Sequence, residues 1–455
     1  MKLQRLFNMG PTEIAFRGRQ EVYKAVERLW PPPRRQDARF DRSACDQTLE
    51  ALLTRLGTAG DPQAAREVQD ALQEQFCERF FAGLAEDWQR DAPLSPTGAG
   101  FNAEALALIA RADAVCRMEF HILGYGTLSF GQPVNWHLEP VTGKECPRVH
   151  WSRLDPMTPE QVGDNKVVWE VNRHQWLLDL GQAWRLTGHE KYAECFVELV
   201  TDWNERNPYA QGINWSSALE AAMRSLSWCW ALGLFQGAPA LTPKRFQALL
   251  GGLQRHAVFI ERYLSRYFAP NTHLTVEALA LYTIGTLLSE LQGAKRWRAL
   301  GRRILLEQLP LHVPEGGVYF EQSTRYQYYT AEIYLHFAIL AGRNDDPLPD
   351  FVRERLGELL NFLVQVRRPD GTVPQIGDTD GGWLCPLLRR EVGDYRGLFS
   401  TGAVFLDDPH LAWAAESLTH EAFCLLGKPA AAHWERLTPT PPPGRKLSVH
   451  GGGDY

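Results

Sequence analysis

Residues 167–206 read V-V-W-E-V-N-R-H-Q-W-L-L-D-L-G-Q-A-W-R-L-T-G-H-E-K-Y-A-E-C-F-V-E-L-V-T-D-W-N-E-R. Apolar residues recur at helical spacing from Val167 to Leu186. Gly188 interrupts the pattern, and it resumes from His189 to Arg206. Two helices joined by so short a turn run antiparallel as a hairpin. The same unit recurs down the chain. Trp215–Leu234 precedes Pro243–Phe268, Leu274–Leu291 precedes Trp297–Gln308, and Thr324–Ala341 precedes Pro349–Val366. With no strand patterns between the helices, a parallel α/β sheet is excluded. No short regular repeat of the tetratricopeptide or ankyrin kind is present. The expected fold is mainly all-α, an incomplete α/α toroid of helical hairpins. In such a ring the loops at one end converge on a cleft, and residues at helix starts become candidates for chemistry.

Outside this core the chain changes character twice. Residues 1–117 read as an N-terminal helical appendage, with helical patterns over 12–30, 46–56, 61–88 and 102–117; Pro31-Pro32-Pro33 stops the first. Residues 118–165 carry Gly124, Gly126 and Gly131 among alternating apolar positions, which predicts short strands and turns. Trp136, His137, His150 and Trp151 recur there and are candidates for lining a cleft. The toroid is expected to span 118–430. A Gly/Asp-rich loop at 367–383 is followed by helical segments near 395–405 and 409–426. Residues 431–455 hold the proline-rich T-P-T-P-P-P-G-R and then K-L-S-V-H-G-G-G-D-Y, expected to begin the first strand of an absent β domain.

Composition narrows the function. The 455 residues carry a formal net charge of -6, which argues against a nucleic-acid binder driven by bulk charge but permits a local basic cleft for an anionic ligand. There are 15 Trp, 14 Tyr and 21 Phe, enough to fill the core and leave some flat platforms for sugar rings. The eight cysteines are scattered with no C-x-x-C pair, so they read as buried free thiols, and no metal or cofactor is expected. No run approaches the roughly 18 apolar residues of a membrane span, and the N-terminal apolar run is too short for a signal peptide. On sequence alone the expectation is a soluble, cytoplasmic protein.

Residues 269–277, A-P-N-T-H-L-T-V-E, are the most chemically suggestive stretch. Asn271 stands where a helix cap belongs. His273 and Glu277 are four apart and share a face, so an amide, an imidazole and a carboxylate meet at a helix mouth. Asp378-x-Asp380 lacks the further ligands of a calcium loop and reads as a structural turn.

Five segments, taken in order, resemble the N-terminal helical region of the heparinase II/III-like polysaccharide lyases, a family related to alginate and oligoalginate lyases. They are W-E-V-N-R-H-Q at 169–175, N-P-Y-A-Q-G-I-N-W-S-S-A-L-E-A-A-M-R at 207–224, P-N-T-H-L-T-V-E-A at 270–278, G-V-Y-F-E-Q-S-T-R-Y at 317–326 and I-G-D-T-D-G-G at 376–382. The resemblance covers about residues 120–455. It implies an α/α toroid followed by a β-sandwich, and β-elimination on an acidic, uronate-containing polysaccharide. It also makes a periplasmic or cell-envelope setting possible. Asn271, His273 and Tyr326 match the positions at which relatives neutralise the uronate carboxylate and move protons. Arg224, His174, Arg173, Glu277 and Trp215 form the expected substrate-binding set, with Glu277 orienting His273. Thr272 stands where many relatives have Asn, and Gln327 where many have His.

Plainer readings stand beside these. Asn271 can be a simple cap, Arg224 an i,i+4 partner of Glu220, Arg173 a partner of Glu170, and Tyr326 a core tyrosine. Two other functions also fit the sequence. A glycoside hydrolase would use two of Glu277, Glu321 and Asp378 across the cleft, and a glycan-binding domain would turn nothing over.

Overall fold

Each hairpin contributes one inner and one outer helix to a partial ring. The computed structural model describes residues 9–32, 37–59, 62–96, 100–122, 124–379 and 382–443. Trp176–Thr187, Ala218–Leu234, Thr272–Leu287 and Thr324–Arg343 are the inner helices, and each packs against the next. Lys191–Arg206, Pro243–Tyr263, Ala294–His312 and Asp350–Val366 return on the outside. Arg396–Leu406 and Pro409–Ala415 make a further, shorter pair. Because every inner helix starts from the same end, the positive poles of their backbone dipoles converge there.

Burial follows the sequence. All 17 residues of Ala218–Leu234 are buried, which its nearly all-round apolar composition requires. The outer Lys191–Arg206 is amphipathic and buries one face. Thr272–Leu287 and Ala294–His312 approach closely because two glycines face the contact. A Cβ on Gly285 would lie 2.5 Å from the Ala294 carbonyl oxygen, and one on Gly301 would lie 2.4 Å from that of Ala278.

The N-terminal region packs directly on the ring. Pro62–Arg79 and the segment after it seal the far end of the ring, where the inner helices finish. Arg79 donates to the Leu287 carbonyl and pairs with Glu290 at 2.8 Å. Asn344 Nδ2 donates to the Arg79 carbonyl at 2.7 Å, and Phe81 stacks on Trp230 at 5.2 Å. Ala103–Cys116 packs on Trp176–Thr187. The expected boundary at 117 therefore runs through one continuous core.

Other expectations shift in detail. The predicted Val167–Leu186 helix is two helices, Asn165–Asn172 and Trp176–Thr187. His174 between them sits at φ 58°, in the left-handed region, where the Trp228 indole donates to its Nδ1 at 2.9 Å. Pro243–Phe268 stops at Tyr263, and 409–426 divides into Pro409–Ala415 and His420–Leu426. The 118–165 region holds two small antiparallel hairpins, Glu119–Ile122 with Gly126–Ser129 and Leu138–Glu139 with Lys144–Glu145. Six of the eight cysteines are buried and all are free thiols. Among the described residues, no helix is long and apolar enough to cross a membrane. The expected strand at 446–455 lies outside the described residues, as do Asp380 and Gly381.

Candidate active site

The inner helices are closed to solvent along most of their length, and the exceptions fall near their two ends. On Thr272–Leu287 the one residue that is not buried is His273. On Thr324–Arg343 the residues that are not buried are Tyr326, Tyr329 and the last two of the helix. A half-buried imidazole and two half-buried phenols thus open at the end of the ring where the helix dipoles point outward.

Capping fixes these first turns. The Asn271 side-chain oxygen accepts from the His273 backbone N–H at 3.1 Å, while its Nδ2 donates to Glu321 at 3.0 Å. Asn271 is thus a cap, as its plainer reading held, and also a tie to the next hairpin. Ser323 caps the following helix, accepting from the Tyr326 N–H at 3.1 Å and donating to the Asp378 carbonyl at 2.6 Å. Thr324 adds a bond to the Pro374 carbonyl at 2.7 Å. These contacts lay the 374–379 loop across the start of the tyrosine helix. Gly377, at φ 75°, makes the close approach possible, since a Cβ there would lie 2.4 Å from the Gln322 carbonyl oxygen. Asp378 is exposed and serves that turn through its backbone.

Gln327 is a structural residue. Its amide donates to the Gly317 and Leu359 carbonyls and accepts from the Tyr319 N–H. Tyr328 is buried against Trp383 and Tyr395, whereas the Tyr329 hydroxyl contacts Met223 Sδ at 3.2 Å. Of the three neighbouring tyrosines, Tyr326 and Tyr329 face the opening.

The residues of the expected substrate-binding set are mostly buried or paired with other side chains. Arg224 is fully buried. It donates to the Asn172 and Asn214 carbonyls at 3.0 Å each and to His256 Nε2 at 3.2 Å, with its guanidinium 4.3 Å from the Trp203 ring centre. Burial, opposed by Glu220, lowers its pKa to about 9. His174 is also fully buried, and burial followed by the Arg224 charge holds its pKa well below the usual imidazole value, so it stays neutral. Trp215 is 1% exposed and packs on His256 and Phe259. These three side chains hold the ring together and present no surface to a glycan.

Arg173 is only slightly exposed, and its fork is occupied. It pairs with both oxygens of Glu220 at 2.8 and 3.0 Å, and with Glu170 at 3.1 Å. Glu220 therefore pairs across helices rather than with Arg224 four residues on. Glu277 does not orient His273; it accepts from the Ser265 N–H at 2.7 Å and from its hydroxyl at 2.6 Å. It thereby ties the turn before Asn271 to the helix after it.

Burial pushes the Glu277 carboxyl up to about 8 against the two Ser265 bonds, and burial likewise raises Glu332 to about 7. Between the ordinary value of 4.5 and about 8, the folded chain keeps a proton on Glu277 that the unfolded chain loses. Its stabilising contribution is full below 4.5 and fades as pH rises through about 8. Glu277→Gln should therefore flatten the fall in unfolding free energy across that interval, measured by urea denaturation at several pH values. An unchanged slope would assign the pH dependence elsewhere.

Sequence reasoning missed the wall formed by Arg325 and Trp383. The guanidinium lies 4.1 Å from the indole centre and donates to the Gly382 carbonyl. Gln175 donates to the Trp383 and Leu384 carbonyls, and Glu332 accepts from the Leu384 and Cys385 N–H groups. The signal available was the aromatic residue closing the G-G-W run of the 367–383 loop.

The Heparinase II/III N-terminus family model matches residues 101–405. A heparin-sulfate lyase of Pedobacter heparinus is 26% identical over 264 residues, covering 56% of this chain and 36% of the relative. One from Bacteroides thetaiotaomicron is 26% identical over 254 residues, covering 53% and 35%. The chain thus spans about a third of the length of these relatives. Among solved structures, that of heparinase III aligns with a TM-score of 0.60 at 20% identity, covering 84% of this chain and 54% of that one. A heparan sulfate lyase mutant from Pedobacter heparinus aligns at 0.58 and 21%, covering 83% and 56%. At these identities the structural likeness carries the fold, a helical toroid. With two thirds of its length matched by the family model, the chain belongs to the heparinase II/III family.

Proposed function

We propose that this chain supplies the toroid side of a lyase site that cleaves an acidic, uronate-containing polysaccharide by β-elimination. The observation that carries the reading is the opening itself: His273, Tyr326 and Tyr329 interrupt inner helices that are otherwise sealed up to the far end. Elimination needs a base for the C5 proton, an acid for the leaving glycosidic oxygen, and positive polarity near the uronate carboxylate to hold the developing enolate charge. In this reading Tyr326 moves the proton, and His273 and the Asn271 amide face the carboxylate at the positive pole of the Thr272–Leu287 helix. The C5–H electrons form the C4–C5 double bond as the C4–O bond breaks, and the oxygen leaves with a proton. The relatives named heparin-sulfate lyase support an acidic glycan as substrate.

A hydrolase reading has less support. It needs two carboxylates facing one sugar bond, and Glu277 is fully buried on Ser265 while Glu321 is tied to Asn271. Incubation with a panel of purified acidic polysaccharides should generate the ultraviolet absorbance of an unsaturated uronate. Cleavage without that absorbance would refute the reading.

A further inference from the structure

The outer wall of the ring carries a second feature, lined by residues other than those at the opening. Two cavities of about 990 and 410 Å³ adjoin along the groove between Pro243–Tyr263 and Ala294–His312, sharing Val258, Arg262 and Arg296. At the helical rise of about 1.5 Å per residue, the groove is about 20 Å long from Gly251 to Leu264. Its upper end, at Leu264 and Arg266, flanks Ser265, which is hydrogen-bonded to Glu277 on the Thr272–Leu287 helix, so the groove ends beside the helix that carries His273.

The charge of this groove is opposite to that of the whole chain. The wider cavity is lined by five arginines and two glutamates, and the narrower adds Arg39 and Arg255 with no acid of its own. Glu307 is shared, at 3.4 Å from Arg266 and 3.8 Å from Arg303. Glu261 answers Arg296, and Arg262 reaches the buried Glu27. The arginines outnumber these acids on a chain whose formal net charge is -6. Two guanidinium groups also lie over aromatic rings, Arg19 on Phe16 at 5.4 Å and Arg262 on Tyr23 at 5.0 Å. Phe16, Arg19 and Tyr23 come from the helix Pro11–Leu29, which lies outside the residues matched by the family model.

We propose that this groove is a second binding site for a strand of acidic polysaccharide, one that holds the polymer beside the rim and feeds it to the cleft. The proposal rests on the lyase reading for its choice of ligand. Planar guanidinium groups suit carboxylate and sulfate oxygens, and a row of them suits a polyanion rather than a single sugar. A site of this kind acts on long chains and leaves short ones unaffected.

The test uses the whole chain, long fluorescent heparan sulfate and a tetrasaccharide cut from it. Arg19→Glu with Arg303→Glu changes two exposed rim charges and leaves the Arg262–Glu27 pair intact. The double variant should bind the long chain at least tenfold more weakly, with a shallower salt dependence, and bind the tetrasaccharide as the parent does. The neutral pair Arg19→Gln and Arg303→Gln should fall between, which excludes a folding artefact. Unchanged binding of the long chain by the double variant would overturn the groove. So would failure of the parent to bind the long chain while unsaturated products still form, and the lyase reading would then survive alone. No binding and no unsaturated product from any acidic glycan would overturn both. Duplex DNA of equal charge competing as well as heparan sulfate would overturn the assignment to a glycan.

Discussion

Tyr326→Phe is expected to lower the rate of unsaturated-product formation by roughly 10²–10⁴-fold, the usual worth of a positioned proton-transfer group. That corresponds to about 3–5 kcal/mol of barrier. Only the phenolic oxygen is lost. The ring, the half-buried setting and the Ser323 cap on the Tyr326 N–H all remain, so the fold should be untouched. The loss should appear in kcat with KM nearly constant, because the group acts in the transition state rather than in binding. Tyr329→Phe makes a useful comparison, since its hydroxyl rests on Met223 Sδ at the same opening. If Tyr329→Phe abolishes turnover and Tyr326→Phe does not, the proton-transfer role passes to Tyr329.

The largest stability effect is expected at Arg224. Replacing it with Met keeps much of the volume but removes every donor. The Asn172 and Asn214 carbonyls and His256 Nε2 lose their partner in a fully buried place. Leaving several buried acceptors unpaired, together with the lost contact to the Trp203 ring, should cost about 3–5 kcal/mol. Arg224→Lys should recover little, because a single ammonium cannot reproduce the fork that spans two carbonyls. Chemical denaturation checks both variants. Normal stability combined with a raised KM would instead restore Arg224 to the substrate-binding set.

The setting of Arg224 shows where the sequence was readable and where it was not. The hairpin order came from apolar spacing and from glycine and proline punctuation, both local signals. The first turn of the Asn271 helix was readable for the same reason, since a cap acts within three residues of itself. The break at His174 was not readable. There His174 accepts from the Trp228 indole, which belongs to the next hairpin. Arg224 and Glu220 match an i,i+4 ion pair as well as two residues can, yet Glu220 is held by Arg173 from the preceding hairpin. Glu277 shares a helix face with His273, but its carboxylate is claimed by Ser265 from the preceding turn. Charged residues on inner helices are assigned by the partners the ring brings to them, and periodicity does not record those partners. The surfaces that survive as functional candidates are the ones the ring leaves open, at His273 and Tyr326.

The most direct test of the central claim is the mass balance of a single cleavage. A defined acidic oligosaccharide is digested by this chain, and the two fragments are weighed by mass spectrometry. β-Elimination adds no water, so the fragment masses should sum to that of the intact substrate, with the unsaturated ring on one of them. Fragments that sum to the substrate plus one water would make the protein a hydrolase and contradict the account built on His273 and Tyr326.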